Sequence, residues 1–203
     1  MSRYRTIAEP VRVEIDKIKG SRFIGIASPA STEEEATGAI EALRAEFADA
    51  RHHCYAFRLG AGPDRFRYSD DGEPRGTGGP PLLRQIDGRD LRDVVVTVVR
   101  YFGGVKLGTG PLLRAYATAA SAALDAARVV EVEVTRALRV EYDYALSGVV
   151  KAALSAHGLI PADERFGEAI SILLKVPEAR AQAVADDLVE RTAGQAKVRM
   201  GGD

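Results

Sequence analysis

The feature that most constrains this fold is a run of β-branched residues, Val94–Val99, followed by a glycine-rich turn and an alanine-rich segment. A strand that is apolar on both faces belongs in the centre of a sheet that is covered on both sides. We therefore predict a central strand over 93–100. A long helix is predicted over 111–127, with a proline in its first turn, where the missing N–H group is not needed. Strand, turn and helix together indicate an α+β domain.

The remainder of the first half predicts two hairpins and two helices around that strand. Alternating apolar residues bounded by glycine-containing turns indicate the hairpins. Three glutamates after a serine and a threonine, then apolar residues at three- and four-residue spacing, indicate the first helix. The strands are predicted at 11–18, 22–27, 54–59 and 66–69, and the helices at 32–48 and 81–86.

The second half predicts a β-α-β-β-α-β order, which is that of a ferredoxin-like sandwich. We place the domain boundary between residues 1–130 and 131–203, and treat 129–135 as a connection that could itself form a strand. The strands are predicted at 137–144, 159–166, 168–176 and 196–200, and the helices at 147–157 and 178–192.

Composition limits the functional classes. The chain has 203 residues with 46% apolar and 28% charged content, which is typical of a globular protein. No apolar run approaches the roughly 18 residues that a membrane span needs, and a single cysteine, Cys54, fits a reducing compartment, so we expect a cytoplasmic protein without a membrane contact. The net charge is −1, with +2 on residues 1–130 and −3 on residues 131–203. This difference decides nothing alone. Any RNA-facing surface is expected in the first half because of the arginines available there: Arg51, Arg58, Arg65, Arg67, Arg75, Arg84, Arg100 and Arg114.

Residues 100–116, between the central strand and the long helix, have the composition of an anion site. Glycines free backbone N–H groups to approach a ligand, a helix start attracts negative charge, and Lys106 adds a cation. The order is not that of a Walker A loop, because Gly108 is followed by Thr109 and not by lysine. The segment predicts binding of phosphate, in a nucleotide or in an RNA backbone. A tight strand-to-helix turn is the alternative.

Residues 69–81 place Asp70, Asp71 and Glu73 just before a glycine-rich stretch that contains Gly76 and Thr77. Three carboxylates within four residues are candidates for holding a divalent cation or for acid–base catalysis. Acidic turns rich in glycine and proline are also ordinary solvated loops. The neighbouring glycines favour a ligand, because they let the backbone approach one closely.

A third segment leads from Arg51 through His52 and His53 to Cys54. Neighbouring residues on a strand point to opposite faces, so the two histidines are badly placed to bind one ion. The preferred interpretation is an exposed histidine beside a buried cysteine, and no metal site is predicted.

Four motifs stand out in the sequence: Lys19–Phe23, Arg51–Ala56, Ser69–Pro74 with Gly76 and Thr77, and Arg100–Gly104 with Lys106–Gly110 and Arg114–Tyr116. Together they closely resemble those of the IMPACT/YigZ family. The resemblance covers residues 1 to about 130, and residues 131–203 are similar to the small C-terminal domain of bacterial YigZ-type members. Two prolines depart from the family pattern: Pro80 replaces a basic or polar residue and Pro111 replaces glycine, so neither can offer a backbone N–H group.

The resemblance implies an N-terminal domain with the fold shared by a small-subunit ribosomal protein, domain IV of elongation factor G and the GHMP kinases. It implies a C-terminal domain like domain V of elongation factor G. Eukaryotic relatives are linked to translational control through the kinase that senses uncharged tRNA.

We favour an RNA- or ribosome-associated binding protein with a role in translation regulation, in which Tyr55, Tyr101 or Phe102 could stack bases. A phosphate- or nucleotide-dependent enzyme related to GHMP kinases, with Asp70, Asp71 or Glu73 in catalysis, is one alternative, and a protein-interaction module is another. No cofactor and no DNA specificity are predicted. The predicted ligand-binding residues are Arg51, His53, Gly76, Thr77, Arg100, Tyr101, Gly103, Gly104, Lys106, Gly108, Thr109, Gly110 and Arg114.

Overall fold

The valine-rich run forms the central strand of a five-stranded antiparallel sheet in the computed structural model, which describes residues 3–60 and 65–201. The first seven strands are β1 (Arg3–Ile7), β2 (Val11–Glu14), β3 (Arg22–Pro29), β4 (His52–Arg58), β5 (Phe66–Ser69), β6 (Val94–Tyr101) and β7 (Val129–Glu133). The sheet order is β2-β3-β6-β4-β5, and every neighbouring pair is antiparallel. The predicted central position of the valine-rich strand and both predicted hairpins are confirmed. Most of the turn expected between β4 and β5, residues 61–64, lies outside the described residues.

Three helices cover the two faces of this sheet: α1 (Glu33–Glu46), α2 (Gly79–Asp87) and α3 (Thr109–Ala126). Thr32 caps α1 by accepting a hydrogen bond from the amide of Glu35 at 3.1 Å. Val95 packs in the core beneath α1, whereas Val94 and Val96 pack in the core with α2 and α3. The alternation along β6 therefore assigns each of its side chains to one of two cores.

One element of the first half was not visible in the sequence. Strand β1 pairs with β7 in a separate two-stranded sheet, so the connection at 129–135 does contain a strand and has a partner near the chain start. The hydroxyl of Tyr4 donates to the carboxylate of Asp93, and Thr6 Oγ1 donates to the Asp93 carbonyl oxygen at 3.0 Å. The sequence of β1 is short and mostly polar and therefore gives little sign of a strand. The strand is held in place by partners that are distant along the chain.

The second half forms a four-stranded antiparallel sheet with two helices. Its elements are β8 (Thr135–Tyr142), α4 (Ser147–His157), β9 (Asp163–Phe166), β10 (Ile170–Pro177), α5 (Glu178–Arg191) and β11 (Lys197–Gly201). The sheet order is β11-β8-β10-β9. Strands β8 and β9 are both antiparallel to β10 and hence parallel to each other, which is a split β-α-β arrangement. The predicted β-α-β-β-α-β order is confirmed, although β9 begins later than expected.

The chain divides into two units, one spanning Tyr4–Val132 and the other formed almost entirely by residues from Glu133 onward. Each unit has its own apolar core. Within the described ranges, no helix combines the length and the apolar character needed to cross a membrane.

Candidate functional site

The segment between β6 and α3 is an open loop on the surface of the first unit. Phe102 and Val105 are 43% and 51% exposed, and Lys106 is exposed as well. Lys106 makes no ion pair or hydrogen bond with any residue that the structure describes. Gly104 and Gly108 have φ angles of +87° and +81°, which favour glycine. These two glycines let the chain turn back into α3.

Helix α3 starts without a side-chain cap after Gly108. Its first helical hydrogen bond runs from the amide of Leu112 to the carbonyl oxygen of Gly108 at 3.1 Å. The amides of Thr109 and Gly110 therefore precede the helical ladder. The side chain of Arg114 bends toward this end, with Nη1 3.7 Å from where a Cβ atom at Gly110 would lie. Unpaired amides, the helix dipole and a guanidinium make this end of α3 attractive to anions.

The turn between β2 and β3 supports the loop from behind. The amide of Gly103 donates to Ser21 Oγ at 3.1 Å, and Ser21 is fully buried. A Cβ atom at Gly103 would overlap the backbone of Gly20, so only glycine lets the two turns approach this closely. Two of the four family-like motifs therefore meet at Gly103.

A buried ion pair ties the acidic segment to the same region. Arg100 Nη1 donates to Glu73 Oε1 at 2.6 Å, and the hydroxyl of Tyr116 donates to the same oxygen at 2.8 Å. The two charged side chains are only 5% and 4% exposed. The Arg100 guanidinium lies 5.4 Å from the ring of Phe23 and 5.6 Å from that of Phe102. The prediction that Arg100 contacts a ligand is wrong, because its charge is already neutralised inside the protein.

Asp70 holds the glycine-rich stretch before α2 in place. Its carboxylate accepts hydrogen bonds from the amides of Gly76, Gly78 and Gly79 at 2.8, 2.9 and 2.9 Å. This carboxylate stabilises the start of α2, where an acidic group is favoured by the helix dipole. The amide of Gly76 is therefore occupied by Asp70, and the predicted contact of Gly76 with a ligand stays a prediction for the rest of its backbone.

Asp71 is equally engaged. Its carboxylate accepts from the amide of His53 at 2.7 Å and pairs with Arg44 at 2.6 Å. Its carbonyl oxygen accepts from Nδ1 of His52 at 2.8 Å. The carboxylates that the enzyme hypothesis assigned to metal binding or proton transfer thus fold the loop. Among the described residues, no three His, Cys, Asp or Glu side chains are grouped to hold a metal ion.

His53 and Thr77, two predicted ligand contacts, lie inside the protein. His53 is 6% exposed, and the pKa of its imidazole is lowered by burial. Its Nε2 atom is buried and has no hydrogen-bond partner among the residues that the structure describes. Both the amide and the hydroxyl of Thr77 donate to the Pro74 carbonyl oxygen, at 3.0 and 2.6 Å. Both predictions are corrected, because neither side chain reaches the surface of the loop.

The neighbouring Cys54 and Tyr116 are not prepared for acid–base or nucleophilic work. Burial raises the pKa of the Cys54 thiol, whose sulfur donates to the Asp70 carbonyl oxygen at 3.0 Å. Burial, together with the nearby Cys54 and Glu73, also raises the pKa of the Tyr116 hydroxyl. A thiol that stays protonated is a poor nucleophile, so this cluster is structural.

Tyr101 points to the opposite face of β6 from Arg100. Its hydroxyl donates to Asp49 at 2.8 Å, and the guanidinium of Arg22 lies 5.1 Å from its ring. The bond to Asp49 is the main cause that raises the pKa of Tyr101. Arg51 is exposed and directly precedes β4. Tyr101 therefore lies on the α1 side of the sheet, on the face opposite Arg100, and its contact with a ligand stays a prediction.

Apart from Arg51, the exposed residues among the predicted ligand contacts lie in one segment, residues 102–110 with Arg114, which we call the anion loop. Leu107 within it is buried. Three buried residues that support the anion loop were not predicted from the sequence as part of the site: Ser21, Phe23 and Tyr116. Burial of Arg100 could have been read from the alternation along β6, since it shares a face with Val98. The partners of Arg100, Glu73 and Ser21, could not have been predicted in this way, because they come from distant segments of the chain. Exposed predicted residues in this loop are Gly103, Gly104, Lys106, Gly108, Thr109, Gly110 and Arg114.

Comparison with known proteins places similar sequences over nearly the whole chain. Residues 19–124 match the family model described as the Impact N-terminal domain, and residues 140–195 match a domain of unknown function, DUF1949. The chain is 34% identical to IMPACT family member YvyE of Bacillus subtilis, over 98% of this chain and 91% of the relative. It is 45% identical to IMPACT family member YigZ of Escherichia coli, over 58% of each. A crystal structure titled as a hypothetical protein is similar with a TM-score of 0.80 at 30% identity, over 100% of this chain and 99% of that one.

Proposed function

The chain belongs to the IMPACT family, as its motifs indicate, and on that premise we propose that it is a cytoplasmic RNA- or ribosome-associated protein that acts in translation regulation. In this proposal the anion loop holds phosphate groups. The observation that carries it is Lys106, an exposed cation without an internal partner among the described residues, three residues before the uncapped start of α3.

The physical support is the combination of charge and backbone in one short segment. Phosphate oxygens accept hydrogen bonds from backbone amides at a helix start, and the dipole favours their charge. A Cβ atom at Gly104 or Gly108 would meet nothing within 4 Å, so the space beside the backbone is open for a ligand. Lys106 and Arg114 add two flexible cations to the amides of Thr109 and Gly110.

Phe102 adds a means of contacting a base. Phe102 is 43% exposed, and the Arg100 guanidinium lies over its ring, 5.6 Å from the ring centroid. An exposed aromatic ring is a stacking surface for an unpaired base, and stacking of this kind tolerates any sequence. Phosphate and base contacts in one loop suit RNA better than a free anion.

The sequence motifs also imply likeness to domains IV and V of elongation factor G, and we include that likeness in the proposal. A chain whose two units are related to adjacent domains of a ribosomal factor is suited to a surface of the translation machinery.

The test is sedimentation of the purified chain with ribosomes in low and high salt, comparing Lys106→Ala with Lys151→Ala. Lys151 is an exposed lysine on α4 and serves as the matched control. Binding should weaken steeply with salt, and Lys106→Ala should reduce both the bound fraction and the salt dependence, because one phosphate contact is lost. Binding that is absent, insensitive to salt or equally weakened by both variants contradicts the proposal.

A further inference from the structure

The four-stranded sheet of the second unit has one covered face and one open face. Leu138, Val140 and Tyr142 of β8 point into the core with α4 and α5. Because side chains alternate along a strand, Arg139 and Glu141 point to the opposite face, and both are exposed. The pairing registers place the following residues on that open face: Ala137, Arg139, Glu141, Asp163, Arg165, Ser171, Leu173, Lys175, Lys197 and Arg199.

This open face is basic although the segment that builds it is acidic overall. It carries five basic and two acidic side chains, whereas residues 131–203 as a whole have a net charge of −3. Both acids are already paired: Glu141 with Lys197 at 3.7 Å, and Asp163 with Arg165 at 3.0 Å. Three cations, Arg139, Lys175 and Arg199, make no ion pair or hydrogen bond with any described residue.

Two of these unpaired cations face each other. Arg199 on β11 is directly opposite Arg139 on β8. Lys175 on β10 is opposite Ala137, which places it diagonally across from Arg139, about 7–8 Å away by sheet geometry. Like charges directly opposite on a sheet destabilise it. A fold that keeps such a cluster without an internal counterion is suited to an external anion.

We propose that this open face binds the phosphate backbone of RNA, as a second surface separate from the anion loop. Arginine presents a planar fork of donors that matches phosphate oxygens. The face has no aromatic side chain for stacking, and its largest apolar side chain, Leu173, is half-buried. Protein interfaces are centred on apolar and aromatic side chains, whereas RNA interfaces are polar and positively charged. The binding is therefore to phosphates and is independent of base sequence.

The experiment measures binding of the full chain to fluorescently labelled RNA duplexes by anisotropy across a salt series. Arg139→Gln/Arg199→Gln should lower the slope of log affinity against log salt by about two, roughly one for each phosphate contact. The control is Lys151→Gln/Arg180→Gln, which removes two exposed charges from α4 and α5 on the other side of the sheet. Arg139→Lys/Arg199→Lys should keep most of the slope, because the charge is retained.

The outcomes separate this inference from the proposed function. Loss of salt dependence in the Arg139→Gln/Arg199→Gln variant, with a melting temperature that is not lowered, supports the second surface, whatever Lys106→Ala does. If only Lys106→Ala loses salt dependence, the result supports the anion loop and contradicts the second surface. A control that loses as much as the test variant overturns it too. So does stronger displacement of the chain by poly-glutamate than by unlabelled RNA, which would assign the face to an acidic protein.

Discussion

The Arg100–Glu73 pair should be one of the most sensitive points of the first unit. Replacing either member alone leaves the other as a buried charge, since the two side chains are 5% and 4% exposed and lie 2.6 Å apart. Removal of one partner of a buried pair costs about 3–5 kcal/mol. A domain has about 5–15 kcal/mol of stability in total, so Arg100→Met or Glu73→Met removes a large part of it.

The double variant Glu73→Met/Arg100→Met should be more stable than either single variant. Both charges are then absent, and the remaining cost is mainly the Tyr116 hydroxyl, which loses its acceptor and is left with an unmet hydrogen bond of about 1–3 kcal/mol. The coupling between the two positions is therefore expected to be several kcal/mol.

Urea unfolding followed by tyrosine fluorescence and circular dichroism measures these differences, because the chain has seven tyrosines and no tryptophan. The matched control is the exposed pair Arg12–Glu46, which has the similar distance of 2.7 Å but side chains 49% and 47% exposed. Its loss should cost less than about 1 kcal/mol. Additive effects at Glu73 and Arg100, or single losses no larger than the control, would refute the reasoning.

Three further results follow from the same contacts. Burial lowers the folded-state pKa of His53, so below about pH 6.5 the unfolded chain binds a proton that the folded chain does not. The free energy of unfolding should therefore fall below that pH. In urea titrations it should fall less for His53→Gln than for the unchanged chain. Arg199→Thr should raise the free energy of unfolding by about 0.2–1 kcal/mol by removing the like charge opposite Arg139; a loss of stability in the same assay would contradict this. Gly103→Ala should cost about 1–3 kcal/mol in thermal unfolding because its Cβ overlaps Gly20, whereas Gly148→Ala, with nothing within 4 Å, should be neutral or stabilising.

The sequence was most informative where structure depends on near neighbours. The valine run, the glutamates after Thr32 and the alternation in β8 each specify an element within a few residues, and those elements lie within a few residues of where they were predicted. Strand β1 was missed because its pairing partner β7 is more than a hundred residues away. Local pattern carries no information about such a partner.

The site was harder to predict, because a residue type does not reveal whether its charge is already neutralised. Arg100 and Lys106 are six residues apart and both looked suited to phosphate, yet one is buried against Glu73 and the other is exposed. The two residues differ in the direction in which the side chain leaves the backbone. Arg100 follows Val98 on the α3 side of β6, whereas Lys106 stands on a turn that glycines carry away from the core.

The same distinction applies to net charge, which favoured the first half of the chain as the place for an RNA-facing surface. A sum over residues 131–203 gives −3, but the pleat of the sheet sorts those charges by face. In β8 the residues that alternate with Leu138 and Val140 point outward, and the register with β11 then sets Arg199 beside Arg139. A polyanion at the open face interacts mainly with the charges of that face, because salt largely screens exposed charges farther than about 10 Å away. An acidic segment can therefore present a basic surface, and pairing register decides this more than composition does.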